Sequence, residues 1–79
     1  MTKSELTAYQ RVFSWQRIWA VAYDVQRNKV ACMYDNCSWS DFVELEEEDT
    51  VDMDGNPCVA YFFVPNNGGR VYLHNIELI

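Results

Sequence analysis

Two apolar runs, Cys58–Val64 and Arg70–Ile79, flank Pro65-Asn66-Asn67-Gly68-Gly69, and that short interval constrains the fold more than any other part of the chain. Proline holds φ at about −65° and has no N–H to give a ladder, while asparagine and glycine tolerate positive φ. The interval therefore reverses the chain. The runs on either side are rich in Val, Tyr, Phe and Ile, which suit a pleated surface, so they predict an antiparallel hairpin over about residues 57–78. Upstream, Trp19, Val21, Tyr23 and Val25 alternate along one strand face, and Val30, Cys32 and Tyr34 along another. A turn at Arg27-Asn28 sets Val25 against Val30, Tyr23 against Cys32 and Val21 against Tyr34, which predicts a second hairpin over about 17–35.

The first segment follows a different period. Ser4 suits an N-cap, Glu5 places a carboxylate in the first turn, and Leu6, Tyr9, Val12 and Phe13 recur at helical spacing. A helix over about 4–15 is expected. Residues 41–54 sort best as strand, with Val43, Leu45, Val51 and Met53 on one face and Glu44, Glu46, Glu48, Asp52 and Asp54 on the other, kinked near Glu47–Asp49. A helix is the alternative there, since glutamates favour it and Ser38 or Ser40 could cap it, but three glutamates at a helix C-terminus oppose the macrodipole. Seventy-nine residues are close to the least that one hydrophobic core can hold together, which excludes two domains. The expected fold is a single small α+β domain: an N-terminal helix packed on an antiparallel meander of about five strands.

Charge is segregated along this chain. Residues 1–29 carry five of the six basic side chains against Glu5 and Asp24, a balance of +3. Residues 30–69 carry no Lys or Arg and nine carboxylates: Asp35, Asp41, Glu44, Glu46, Glu47, Glu48, Asp49, Asp52 and Asp54. The ordinary reading is a solvated acidic edge that keeps sheets from pairing with one another. The sharper reading is a line of anions, about 6.6 Å apart on alternate strand residues, that fits a surface built for phosphates. With a net charge of −6, the protein itself is not expected to bind nucleic acid directly.

Little in the sequence points to catalysis. His74 is the only histidine, and no nucleophile elbow or phosphate-cradling glycine loop accompanies it, so no catalytic residue is assigned. Cys32, Cys37, Cys58 and His74 match the number of ligands in a tetrahedral zinc site, yet the Cys32–Cys37 interval is looser than a zinc knuckle and no second close pair exists. No metal and no cofactor are expected. Thr50-Val51-Asp52-Met53-Asp54-Gly55 alternates oxygen ligands as a calcium loop does, but Thr50 and Tyr61 stand where that loop needs carboxylates. Three cysteines are an odd number for a secreted scaffold, the N-terminus has no apolar signal segment, and no apolar stretch is long enough to cross a bilayer. A cytoplasmic protein without membrane association is the expectation.

Twelve aromatic residues (Phe 4, Trp 3, Tyr 5) exceed what a small core requires. Both faces of the first hairpin carry apolar side chains. With one face covered by the helix, the other needs a partner chain or subunit. The sequence as a whole predicts a small acidic non-enzymatic protein-interaction module. Its partner would be a basic protein surface, met by Asp41, Glu44, Glu46, Glu47, Glu48, Asp49, Asp52 and Asp54 with Trp39 and Phe42 as anchors. An inhibitor of a nucleic-acid-binding machine, of the anti-CRISPR or anti-restriction type encoded by phages and mobile elements, has this size and charge. The alternatives are a self-associating accessory subunit, such as a homodimer, and a zinc-stabilised domain.

Overall fold

The computed structural model describes residues 1–79, the side chain of Asn67 excepted. Eight strands form two antiparallel sheets: β1 (Tyr9–Ser14), β2 (Ile18–Asp24), β3 (Lys29–Tyr34), β4 (Val43–Glu44), β5 (Glu46–Val51), β6 (Pro57–Phe63), β7 (Val71–Tyr72) and β8 (Ile76–Leu78). The first sheet has the order β4-β3-β2-β1-β8 and the second β5-β6-β7. The only helical pieces among the described residues are three-residue 3-10 turns at Lys3–Glu5, Pro65–Asn67 and Leu73–Asn75. None could cross a membrane as a helix.

The expected N-terminal helix does not form, and the fold is all-β rather than α+β. Thr2 and Glu5 close a single 3-10 turn, in which Glu5 Oε1 accepts the Thr2 backbone N–H at 2.8 Å. The chain then runs as β1, an inner strand of the five-stranded sheet, between β2 and β8. Residues 9–14 contain two aromatics and a β-branched residue, and tertiary pairing on both edges outweighs the weak helical preference of so short a segment. Leu6, Tyr9, Val12 and Phe13 satisfy a 3.6-residue spacing by coincidence. In the strand, Val12 points into the core while Tyr9 and Phe13 point out on the opposite face.

In the hairpin of β2 and β3, the register differs from expectation by two residues. Val21 lies opposite Cys32 and Tyr23 opposite Val30, because the reversal takes four residues, Val25–Asn28. Asp24 Oδ1 accepts the N–H groups of Gln26 and Arg27, and Asn28 adopts a positive φ of 53°. That conformation is one asparagine tolerates. A bulge between Ile18 and Ala20 then leaves Trp19 unpaired. The extra residue lets Ile18 and Val21 both face the core and turns Trp19 outward, contrary to the expectation that Trp19 and Val21 share a face.

The chain crosses between the layers twice. At Leu45, whose N–H donates to the Asn28 carbonyl at 3.0 Å and whose carbonyl accepts from Asn28 Nδ2 at 3.2 Å, it leaves the first sheet for the second. The break in the acidic strand therefore falls at Leu45, not near Glu47–Asp49. At Leu73–Asn75 the chain returns. The C-terminal hairpin pairs only Phe62 with Tyr72 and Phe63 with Val71, and the rest of the expected second arm, Ile76–Leu78, pairs with β1 instead. Between the layers lie Val12, Ile18, Val21, Val30 and Cys32 from one side, with Phe63, Val71 and Leu73 from the other and Leu6, Leu45 and Ile76 around them. The second sheet thus takes the covering role expected of a helix.

Candidate functional site

The acidic segment forms a ribbon. Beyond Glu48 the hairpin of β5 and β6 extends past the core, and every residue from Asp49 to Pro57 is exposed. Val51 and Met53, expected to share a face with Val43 and Leu45, are solvent-facing, with Met53 at the very tip fully exposed. The tip is nonetheless ordered by its own groups. Asp52 Oδ1 accepts the N–H of Asp54 at 3.0 Å and of Asn56 at 2.9 Å, and Gly55 takes the positive φ of 81° that closes the loop. That oxygen is committed to the turn.

The structure redistributes the carboxylates assigned from sequence. Glu44 sits on β4 in the first sheet, 4.0 Å from Lys29 Nζ. Glu46, Glu47, Glu48 and Asp49 are on β5 in the second sheet, and Asp52 and Asp54 are in the tip loop. Asp41 lies before β4, its N–H donating to Asn66 Oδ1. The continuous line Glu44-Glu46-Glu48 is therefore broken by the change of sheet at Leu45. Glu48 is also neutralised: Arg70 Nη1 and the Tyr72 hydroxyl each hydrogen-bond its carboxylate at 2.7 Å. The Tyr72 hydroxyl first, and then Arg70, hold its pKa below the usual carboxylate range. Arg70, whose guanidinium also lies over the Phe62 ring, is the only Lys or Arg in residues 30–79. Glu46, Glu47, Asp49, Asp52 and Asp54 consequently have no ion-pair partner among the described residues.

A second surface was not assigned from sequence as a unit. The outward face of the five-stranded sheet carries Tyr9, Arg11 and Phe13 from β1, Ala20 and Ala22 from β2, and Ala31 and Met33 from β3, as the pairings Arg11–Ala20, Ala22–Ala31 and Ala20–Met33 require. Trp39 bridges to Met33, and its ring lies 6.1 Å from that of Tyr9. Ala20 and Ala31 have almost no exposed surface although they face outward. Small residues on adjacent strands make a floor, and large side chains rooted at its margins close over it. Phe13 and Trp15 meet edge to face at 6.5 Å, and Tyr9, Phe13, Trp15, Trp19 and Trp39 all remain substantially exposed. Trp39 thus belongs to this platform rather than to the acidic ribbon, and Phe42 is half-exposed before β4. The signal for the platform was present as period-two alternation of Tyr9, Arg11, Phe13 and Trp15, hidden by the helical reading.

The four soft ligands stay apart. Cys32 is buried in β3, Cys37 is exposed in the following turn, Cys58 is on β6 opposite Thr50, and His74 stacks beside Tyr72 in a 3-10 turn. Among the described residues no group of three or more His, Cys, Asp or Glu side chains could hold a metal ion. Burial first, and then the neighbouring Cys32, push the Tyr34 pKa up to about 12. A thiol reagent is accordingly expected to modify Cys37 first, Cys58 more slowly and Cys32 only on unfolding, with or without chelator. Mass spectrometry of a time course reads this order, and protection of Cys37 that chelator relieves would contradict the geometry. No family model, no curated protein and no solved structure matches the chain.

Proposed function

We propose that the protein is a non-enzymatic interaction module that docks its acidic β5–β6 ribbon on a basic protein surface, in the manner of a small inhibitor of a nucleic-acid-binding protein. The observation that carries this reading is the run of nine exposed residues, Asp49–Pro57, projecting with Glu46 and Glu47 beside it and no ion-pair partner for their carboxylates among the described residues. A two-stranded ribbon presents charge on both faces and both edges, so it can enter a cleft lined by Lys and Arg where a flat acidic patch could not. Size, charge and the ribbon suit the anti-CRISPR or anti-restriction type of protein made by phages and mobile elements, as an analogy of type. Three unpaired cysteines favour a reducing compartment, and the cytoplasm is the proposed location.

The test is capture of proteins from the native host at low salt, comparing wild type with Asp49→Lys/Asp52→Lys/Asp54→Lys. These side chains are exposed, so the melting temperature should be unchanged apart from the loss of the Asp52 turn contacts. Wild type is expected to retain nucleic-acid-binding proteins that added polynucleotide or salt releases, and the variant to retain none of them. Equal capture by both proteins would dismiss the ribbon as the docking element.

A further inference from the structure

The second surface has a chemistry of its own. A groove of about 440 Å³ opens on the outward side of the first sheet, between Arg11, Phe13, Arg17, Trp19 and Ile79. Among the described residues Arg11 makes no ion pair, and Arg17 makes one only with Asp35, at 3.5 Å between well-exposed side chains. Such a pair is worth about 0–1 kcal/mol and is easily exchanged. The groove therefore offers two available guanidinium groups on apolar aromatic walls, which calls for a ligand that carries carboxylates beside flexible apolar side chains.

The chain contains a segment of that description. At the ribbon tip Val51 and Met53 alternate with Asp52 and Asp54, all exposed, and Asp49 precedes them on β5. Methionine is unbranched and adapts to irregular apolar grooves. The ribbon belongs to the second sheet and the groove to the face of the first sheet that looks away from it, so a chain cannot fill its own groove. We infer that the groove receives the acidic ribbon of a second copy of this chain. The contact is head to tail, joining unlike surfaces, so each copy keeps a free groove at one end and a free ribbon at the other, and assembly is open-ended or closes only as a ring. One ribbon tip covers less than the roughly 1,600 Å² of a standard interface, so the association is weak and falls with salt. The ribbon is also the element that meets a basic partner, so partner binding and self-association compete.

Single-stranded nucleic acid is the rival occupant, since bases stack on exposed aromatics. The outward face does not favour it. Lys29 and Arg27 are paired with Glu44 and Asp24, which leaves Arg11 and Arg17 as the available cations of the face: two suit the carboxylates of a short acidic tip, whereas a run of phosphates needs more.

Sedimentation velocity of the full chain over a range of concentrations tests the assignment. Wild type at low salt is expected to show a sedimentation coefficient that rises with concentration and stops rising at high salt. Arg11→Glu/Arg17→Glu, and separately Asp49→Lys/Asp52→Lys/Asp54→Lys, are each expected to sediment as monomers with near-native melting. Mixing the two variants should restore the concentration-dependent rise, because each supplies a surface opposite in charge to the other's, a result misfolded chains could not give. Monomeric wild type at every concentration, association of either variant alone, or no recovery on mixing would overturn the proposal. So would saturable binding of an oligothymidylate to wild type that Arg11→Glu/Arg17→Glu abolishes, which would give the groove to nucleic acid.

Discussion

Phe63→Ala is expected to lower stability by about 3–5 kcal/mol, the usual cost of removing a fully buried phenylalanine. A chain of 79 residues has about 4–12 kcal/mol to lose. The variant should therefore melt roughly 12–40 °C below wild type, at about 4–8 °C per kcal/mol for a domain of this size, while Phe63→Leu, which keeps most of the volume, should melt only modestly below wild type. Phe63 has no exposed surface and is the largest side chain so enclosed. It sits at the end of β6, paired with Val71, and projects from the three-stranded sheet onto the inward face of the five-stranded one. No helix helps to cover that inward face, so the contact between layers rests on a few side chains of the second sheet, of which Phe63 is the bulkiest. Thermal melting followed by circular dichroism measures the effect. A fall of only a few degrees for Phe63→Ala would mean that the two sheets are not held together as described.

The position of Phe63 also shows what a sequence can and cannot convey about such a fold. The alternation of Val30 and Cys32, and the turn after Val64, are local patterns: the first lies in β3, and the second is the reversal between β6 and β7. The first segment carried two periods at once. Leu6, Tyr9, Val12 and Phe13 fit a helix, while Tyr9, Arg11, Phe13 and Trp15 fit a strand, and only the neighbours of residues 9–14 decide between them. Those neighbours include Ile76–Leu78, more than sixty residues away, and a pairing over that distance leaves no mark on either segment alone.

The candidate site divides in the same way. That the middle carboxylates would be solvent-exposed follows from their number and the absence of nearby cations. That Glu48 would be removed from the set does not, because it depends on Arg70 and Tyr72 reaching it from a strand not adjacent to its own. The aromatic excess was legible as composition, and the need for something beyond the core to explain it was legible too. Its arrangement depended on the bulge at Trp19 and on the alanines at positions 20, 22 and 31, and their effect appears only once the register is known.

Ser40→Ala is expected to cost about 1–3 kcal/mol, far more than an ordinary serine truncation, because it would orphan a buried amide. After Tyr34 the chain doubles back along the free edge of β3. The Ser40 N–H donates to the Cys32 carbonyl at 2.8 Å, and the Ser40 hydroxyl accepts the Cys32 N–H at 2.9 Å while donating to the Asp41 carbonyl at 3.1 Å. A side-chain oxygen thus stands in for the backbone carbonyl that a regular edge strand would offer to Cys32. Alanine has no such oxygen, and at that position, buried beside a residue with no exposed surface, water has little access to replace it. For a domain of this size the loss corresponds to a fall in melting temperature of roughly 5–20 °C. Ser38→Ala removes a hydroxyl bonded only to the exposed Asn36 side chain and should change melting by little. The same bonds fix where Trp39 leaves the backbone, so Ser40→Ala should also loosen the Tyr9–Trp39 contact and unprotect the Cys32 amide. Hydrogen exchange reads the amide, and tryptophan fluorescence reads the platform. Unchanged melting together with continued protection of Cys32 would show that another acceptor satisfies that amide, and that the edge of β3 does not depend on Ser40.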